Sequence, residues 1–511
     1  MSDLALPPLT RIERVALAAA LALTAVLLWP LRHFVTDDTF VHLQVARHLA
    51  NGQGLTFNVG ERVNGCTSPL WVALLADGIA LGLDGLAVAR ALGLLAALGS
   101  VVLFLQLARR TLAAPGLCAL ATLAWACHAW MLQWALSGTE TPLATALVLA
   151  GFVAYTGGRR LRARPAWAGT LWALAALTTP EAVVLLVLWA VLRLADAEGR
   201  SGLVRLAAGV APPLLLYGGW LVFARLYFGA FWPQAPVAAS AAVPHGDLGA
   251  PMRIAAATDG LLAVALVVAR VVARPRMPDA RAWAAWLLPL AWLLGVPVLL
   301  VARGTPVTSR HLVPLLPVVG WYAWRAVEDG WMGESPDAAR RRRGLVLAAA
   351  LAAGVVAQNL VVYARYVVPY VRAFTAGYEG SLVRWGRWFG AHAPPEAAIA
   401  TPDIGAIAYF SERRVVDLSG LATPAMVPLL ERGGTKDVVT RLRFAPFARP
   451  EFVVDRAPGA NDLMRLSPFA DCLTPLGHDP APLSATAGAD SSVYSFYRVE
   501  WDCVDASGTP R

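Results

Sequence analysis

Two adjacent carboxylates, Asp37 and Asp38, stand in the run Thr36-Asp37-Asp38-Thr39-Phe40, a few residues beyond an apolar stretch from Val15 to Leu31. Charges so close to a bilayer-length helix are costly unless they face water or a polar cavity. A carboxylate held there can take the proton from a hydroxyl that attacks a lipid-borne substrate. Neighbouring residues on a regular helix or strand do not share a face, so one of the two is expected to be the base. The other is left to order the loop, to cap a helix starting at Thr39, or to hold a divalent cation through oxygen ligands. Further candidates lie at polar points between later apolar runs. Glu140 and Glu181 suit either water-facing positions or hydrogen bonds to a substrate. Arg303, Arg310 and His311 suit a leaving anion such as a phosphate, although arginines there also suit interface anchors whose side chains snorkel.

The elements that must position these residues are set by composition. The chain has 511 residues, 57% hydrophobic and only 15% charged, against about 25% charged in soluble domains. That predicts a polytopic membrane protein. The net charge of +9 comes from arginines between apolar runs and gives no nucleic-acid signal. No small-residue cleavage site follows Val15–Leu31, which reads as a retained helix. Eleven spans are expected, near 14–31, 86–107, 117–135, 142–157, 165–178, 182–193, 207–228, 255–273, 283–301, 311–325 and 344–363. With the N-terminus inside, the inner connections hold Arg11 and Arg14, Arg109 and Arg110, four arginines at 159–164, and runs near 193–205, 270–281 and 325–343. The alternate loops hold only Arg32, Arg47, Arg62, Arg253, Arg303 and Arg310, a bias that sets orientation. Residues 165–193 then form a hairpin with Thr178-Thr179-Pro180-Glu181 at its outer tip, and 69–83 a partly immersed helix interrupted by Asp77 and Asp84. Asp37-Asp38, Glu140, Glu181 and Arg303 to His311 all fall on the outer side, so the expected active site faces outward.

The first outer loop runs from Arg32 to about Pro69. Val41, Val45 and Leu49 recur at i, i+4 and predict an amphipathic helix over 39–50 lying at the interface. Asn51-Gly52-Gln53-Gly54 then reads as a turn. From about 364 the chain becomes polar and Pro-rich, which sets a division into a membrane module over 1–363 and an outward domain over 364–511. Strand-like runs at Ala397–Ala400, Val415–Leu418 and Phe452–Val454, with helical patterns near 380–391 and 436–443, predict a small α/β domain. Asp403 and Asp417 stand at strand ends, positions that suit turns and also contact with an acceptor. Cys472 and Cys503 share the outer side and can form a disulfide, which leaves Cys66 unpaired. His128 and Trp130 lie inside an apolar run and read as packing. No His/Cys cluster has metal-ligand spacing and no Gly-rich nucleotide loop occurs, so no cofactor is expected.

Several motifs resemble a known family. Asp37-Asp38, Ala46-Arg47, Asn51-Gly52-Gln53-Gly54-Leu55, Phe57-Asn58, Gly60-Glu61-Arg62-Val63 and Thr67-Ser68-Pro69-Leu70-Trp71 resemble the first-loop signature of integral-membrane GT-C glycosyltransferases. The likeness is greatest to the terminal arabinofuranosyltransferases of mycobacterial and corynebacterial envelopes and their bacterial relatives. Ser137-Gly138-Thr139-Glu140-Thr141-Pro142-Leu143 is similar to the family's second outer loop, and Pro180-Glu181 to a Pro-Glu turn that an arginine usually precedes; here Thr179 stands there. Arg310-His311-Leu312-Val313-Pro314-Leu315-Leu316-Pro317 resembles an Arg-Tyr-Leu-Pro stretch, with His311 for the aromatic. Asp403-Ile404-Gly405-Ala406 and Val416-Asp417-Leu418-Ser419-Gly420-Leu421 resemble its tail.

The resemblance implies transfer of a sugar from a polyprenyl-phosphate donor to an envelope glycan or glycolipid hydroxyl, with inversion, at the outer face of the plasma membrane. It implies Asp37 or Asp38 as base, Arg310 at the phosphate with Arg303 or Arg225 in support, and Arg47, Asn58, Glu140, Glu181 and His311 at the substrates. Two other readings stay open: a ligase using a diphosphate-linked glycan, and a secondary transporter or lipid flippase. The absence of a clear internal repeat and the one-sided acidic residues speak against transport.

Overall fold

The structure, a computed structural model, describes residues 6–156, 166–195, 199–233, 248–272, 280–332, 338–481 and 492–503. It is mainly helical. Five helices are long and apolar enough to cross a membrane: Arg11–Leu31, Gly85–Thr111, Ala207–Phe228, Gly249–Val271 and Ala338–His392. A sixth is available if Pro115–Ala126 and Ala129–Ala135, bent by 53° to one another, count as one span. Eleven spans were expected. The remaining five apolar runs do form helices; Ala280–Ala302 has 23 residues, of which Leu287–Ala302 is the apolar part, but Thr141–Thr156, Ala166–Ala176, Val183–Ala195 and Leu316–Val327 have 16, 11, 13 and 12 residues, short of the roughly 20 needed to span a bilayer. The helices Ala166–Ala176 and Val183–Ala195 pack on one another across a break at 177–182, as the hairpin reading requires. The four arginines at 159–164 lie outside the described residues.

Three further differences have physical causes. The bend in the 117–135 run falls at His128, which caps the second helix through Nδ1 and places Nε2 3.0 Å from the Asp259 carboxylate. Trp130 donates its indole N–H to the Ile254 carbonyl at 2.9 Å. Both residues therefore bond as well as pack. The helix expected to end at 363 continues to His392. A wide π-type turn over Tyr363–Val367 directly precedes Pro369, and such a turn takes up the missing N–H and the ring clash of a helical proline. Lastly, the loop helix Asp37–Ala50 does not lie at an interface. All its residues from Thr39 to Ala46 are buried. It is sandwiched between the helix Pro69–Ala80 and the short helix Gly405–Ser411. Two of its polar side chains are satisfied inside: Gln44 meets His48 at 3.3 Å, and His48 Nδ1 meets the Thr56 carbonyl at 3.0 Å.

The C-terminal region carries a five-stranded sheet. Its strands are β1 (Ala398–Thr401), β2 (Arg414–Asp417), β3 (Phe452–Ala457), β4 (Leu473–Pro480) and β5 (Val493–Val499), in the order β2-β1-β3-β5-β4. β1 pairs in parallel with β2 and β3, whereas β5 pairs antiparallel with β3 and β4. Side chains alternate along each strand. Ile399, Val415, Phe452, Val454 and Phe496 share a core with Trp385, Phe389 and the loop-helix residues Phe40, Val41 and Val45. Ala398, Ala400, Val416, Val453 and Tyr497 pack on the other face with Leu430, Val438 and Val439 of the helix Val427–Thr440. One hydrophobic core thus joins the first loop to the sheet. Cys472 and Cys503 are disulfide-bonded with Cα atoms 5.9 Å apart, and Cys66 is buried and free.

Candidate active site

The start of the loop helix is fixed from two directions. Thr36 precedes its first turn, and the Thr36 N–H donates to Thr39 Oγ1 at 3.3 Å. Thr39 Oγ1 in turn donates to the Ser137 carbonyl at 2.7 Å. The Trp71 indole N–H reaches the Gly138 carbonyl at 3.2 Å. Gly138 has φ +82° and would drive a Cβ into the Thr39 methyl, so glycine is required for this turn to lie against the helix. The result is that Glu140, two residues on, comes within 3.6 Å of His42, one helical turn beyond Asp38.

Asp37 and Asp38 occupy the first two helical positions and point apart. Asp37 faces the C-terminal region. Its carboxylate accepts hydrogen bonds from the Tyr378 hydroxyl at 2.6 Å and from the N–H groups of Gly405 at 2.8 Å and Ala406 at 3.1 Å. Burial, with Asp403 nearby, raises its pKa to about 7 against the opposing pull of those donors. The fit is close: a Cβ on Gly405 would collide with the Asp37 carbonyl oxygen. Asp403 is held by Tyr494 at 2.5 Å and Arg456 at 3.1 Å. Asp417 closes a turn, accepting from Ser419 and Ala422 N–H groups at 2.7 Å each.

Asp38 faces the helices and forms an ion pair with Arg310. Burial pushes its carboxyl up, but the Arg310 guanidinium, seconded by His42 and His311, brings it below the ordinary value. Its side chain is nonetheless 45% exposed and that of Arg310 31%. Both side chains are therefore partly open to solvent although protein surrounds them. Arg310 uses Nη1 for Asp38, which leaves Nε and Nη2 as donors. Protein around Arg310 works against its charge, but Asp38, Glu140 and Glu181 outweigh this and strengthen its hold on the proton. His311 Nδ1 accepts the Thr308 N–H at 3.1 Å, so its proton sits on Nε2. Burial and Arg310 lower its pKa to about 4, which keeps it neutral.

The structure therefore gathers Asp38, Glu140, Glu181, Arg310 and His311 and leaves the other candidates elsewhere. Thr179 donates to Glu181 at 2.7 Å, tying the residue that replaces the usual arginine to its neighbour. Arg303 is exposed just past the helix Ala280–Ala302, and among the described residues no hydrogen bond or ion pair joins it to this group. Arg47 pairs with Glu412 at 2.9 Å and lies over the Tyr409 ring at 4.7 Å. Asn58 bonds the backbone of Val415, donating at 2.9 Å and accepting at 3.0 Å. Both fasten the first loop to the sheet. His42 is the residue that the sequence reading missed; its position four after Asp38, on the same helical face, was the available signal. Among the described residues no three His, Cys, Asp or Glu side chains converge as metal ligands.

A family described as "Domain of unknown function (DUF8728)" matches residues 370–497, the end of the long helix and most of the sheet. A search of the curated proteins finds no match. Solved structures do match. ArnT from Cupriavidus metallidurans bound to undecaprenyl phosphate is similar at 13% identity and TM-score 0.56, covering 94% of this chain and 97% of that one. The arabinofuranosyltransferase AftD from mycobacteria is similar at 17% identity and TM-score 0.56, over 95% of this chain and 40% of its own longer one. The Archaeoglobus fulgidus oligosaccharyltransferase tethered to an acceptor peptide follows at 12% identity and TM-score 0.54, over 87% and 69%. All three are GT-C glycosyltransferases, and the chain has their fold.

Proposed function

We propose that this protein is an inverting membrane glycosyltransferase that moves a sugar from a polyprenyl-phosphate donor to a hydroxyl of an envelope glycan or glycolipid. The observation that carries the reading is the partly exposed Asp38–Arg310 pair. Asp38, ionised and solvent-reachable, takes the proton of the acceptor hydroxyl as its oxygen attacks the anomeric carbon. The bond to the lipid phosphate breaks on the opposite side, which inverts the anomeric centre. Arg310, through its free Nε and Nη2 donors, and His311, through Nε2–H, meet the charge that builds on the departing phosphate. Glu140 and Glu181 bind sugar or acceptor hydroxyls. Asp37 holds the loop against the C-terminal domain and takes no part in proton transfer.

Residues 1–363 act as the membrane module and 364–511 as an outward-facing domain. The site opens to the outer face of the plasma membrane, where a lipid carrier can deliver a donor and the nucleotide-sugar pool cannot. An arabinofuranosyl donor is the first candidate and a mannosyl donor the second. The undecaprenyl phosphate carried by ArnT supports the donor class. The test is transfer by purified protein from decaprenyl-phosphoryl arabinose or mannose, against nucleotide sugars and a diphosphate-linked glycan. Transfer from the monophosphate donors is expected. Efficient use of a nucleotide sugar alone would sink the reading, and use of the diphosphate donor alone would favour the ligase, the activity that the archaeal oligosaccharyltransferase's name carries.

A further inference from the structure

His42 and Glu140 stand opposite one another beside the Asp38–Arg310 pair. Their side chains are only 7% and 16% exposed, and His42 Nδ1 lies 3.6 Å from Glu140 Oε2. Among the described residues neither atom has a hydrogen-bond partner, although both are buried. Buried polar atoms are costly when unpaired and are rare in native proteins. The separation is just beyond hydrogen-bond length, so the two do not satisfy each other. They are also held there by design of the fold. His42 is fixed by its helix, and Glu140 by the turn that Gly138 and Thr39 lock in place.

We infer that His42 and Glu140 form a binding site for one hydroxyl of the transferred sugar. The inference rests on the glycosyl-transfer reading above and assigns a substrate contact within that site. A hydroxyl both donates and accepts, so it suits a carboxylate and an imidazole nitrogen together, in either tautomer. An oxygen about 2.8 Å from each atom would bridge their 3.6 Å gap. The donor sugar is favoured over the acceptor by charge. Glu140 acts on Arg310, the residue placed at the donor phosphate, so the group it binds lies close to that phosphate. A site built to hydrogen-bond a hydroxyl discriminates strongly against an analogue that lacks it, because both polar atoms are then left buried and bare. The pair thereby selects which sugar is transferred.

The test measures binding in lipid nanodiscs, without acceptor, of three probes: decaprenyl phosphate, decaprenyl-phosphoryl arabinofuranose and its mannose counterpart. Wild type is expected to bind one sugar-bearing lipid more tightly than decaprenyl phosphate. H42F and E140Q should weaken that lipid by about 10- to 100-fold, the worth of a hydrogen bond to a charged group, and leave decaprenyl phosphate within about twofold. The double variant should lose little more than either single one, since both contacts serve one hydroxyl. Among monodeoxy forms of the preferred donor, one should bind wild type as weakly as the parent binds the variants. H42N, which keeps a polar atom near Nδ1, should recover part of the affinity and guards against a folding defect. Equal loss for all three lipids overturns the inference, and so does no loss at all, or a loss confined to the acceptor's KM. If wild type binds none of the lipids, the glycosyl-transfer reading itself has failed, a result distinct from variants that fail to discriminate.

Discussion

A methyl group added at Gly405 tests whether the C-terminal domain sets the geometry of the base. Gly405 begins the helix Gly405–Ser411 and gives its N–H to Asp37 at 2.8 Å, while Ala406 gives its own at 3.1 Å. In Gly405→Ala the new Cβ would meet the Asp37 carbonyl oxygen and lie 2.9 Å from both its carbonyl carbon and Oδ1. Backbone atoms cannot swing away as a side-chain tip can, so the helix must lift from the loop. Two hydrogen bonds to a buried carboxylate are then lost or stretched, at about 1.5–3 kcal/mol each. Alanine returns up to about 1 kcal/mol through helix propensity. The net cost to the seam is about 2–5 kcal/mol. Asp38 is the next residue along, so a shift of Asp37 carries the base with it, and a displacement of about 1 Å costs about 100-fold in rate. Turnover with a polyprenyl-phosphate sugar should therefore fall about 100-fold with a smaller change in donor KM. Amide exchange at Gly405 and Ala406 should rise. Gly380→Ala is the control, since a Cβ there meets nothing within 4 Å. Full turnover and unchanged melting in Gly405→Ala would refute the coupling of Asp38 to the domain seam.

Asp38→Asn should reduce transfer by about 10²–10⁴-fold, as expected for a lost general base, while Arg310→Ala should also weaken the binding of decaprenyl phosphate; a double-mutant cycle on turnover should show strong coupling, and additive losses would separate the two roles. Asp37 has a folded pKa of about 7 against 3.8 for the free side chain, so its contribution to stability is fully present below 3.8 and lost as pH rises through 7. Thermal melting should decline across that window. Asp403→Asn, which removes the neighbouring charge, should shift the decline to lower pH, and an unchanged profile in that variant would count against Asp403 as a cause.

How much of this was legible in the sequence depended on how local each feature is. Apolar runs announce membrane helices through composition alone, and the strand–turn–helix at 398–411 follows from short-range pattern. The break at Pro180 was likewise visible. The strand β4 was not, because Pro475, Gly477 and Pro480 disguise it; at the sheet's edge such residues are tolerated. The burial of the loop helix could not be read from its apolar stripe. Its second face is covered by the helix Gly405–Ser411, whose Gly405 lies 368 residues beyond Asp37, and no local period carries that contact. Arg303 and Arg310 are the same residue type seven positions apart, yet one is exposed and the other reaches Asp38. The short helix Ser309–Leu312 decides between them. Arg47 and Asn58 are substrate contacts only by resemblance of the first-loop motif, and their bonds to Glu412 and Val415 depend on a region that follows hundreds of residues later.

The division of labour between Asp37 and Asp38 is an electrostatic necessity of their adjacency. Two ionised carboxylates on one helical turn repel, and Arg310 supplies one full positive charge to the pair's surroundings. The fold resolves this by giving the two side chains opposite environments. Asp38 keeps Arg310 and stays ionised; Asp37, buried next to Asp403, has its proton affinity raised to near neutrality. Pairs of titratable groups whose proton affinities are driven apart in this way mark the assignment of acid and base roles. The helix makes the separation possible, because successive residues point about 100° apart and so reach different neighbours. Asp38 then stands partly open to solvent, its carboxyl held below the ordinary value by the Arg310 guanidinium. Asp37, turned the other way, accepts from the Tyr378, Gly405 and Ala406 donors, and so ties the position of Asp38 to the packing of the C-terminal region against the first loop.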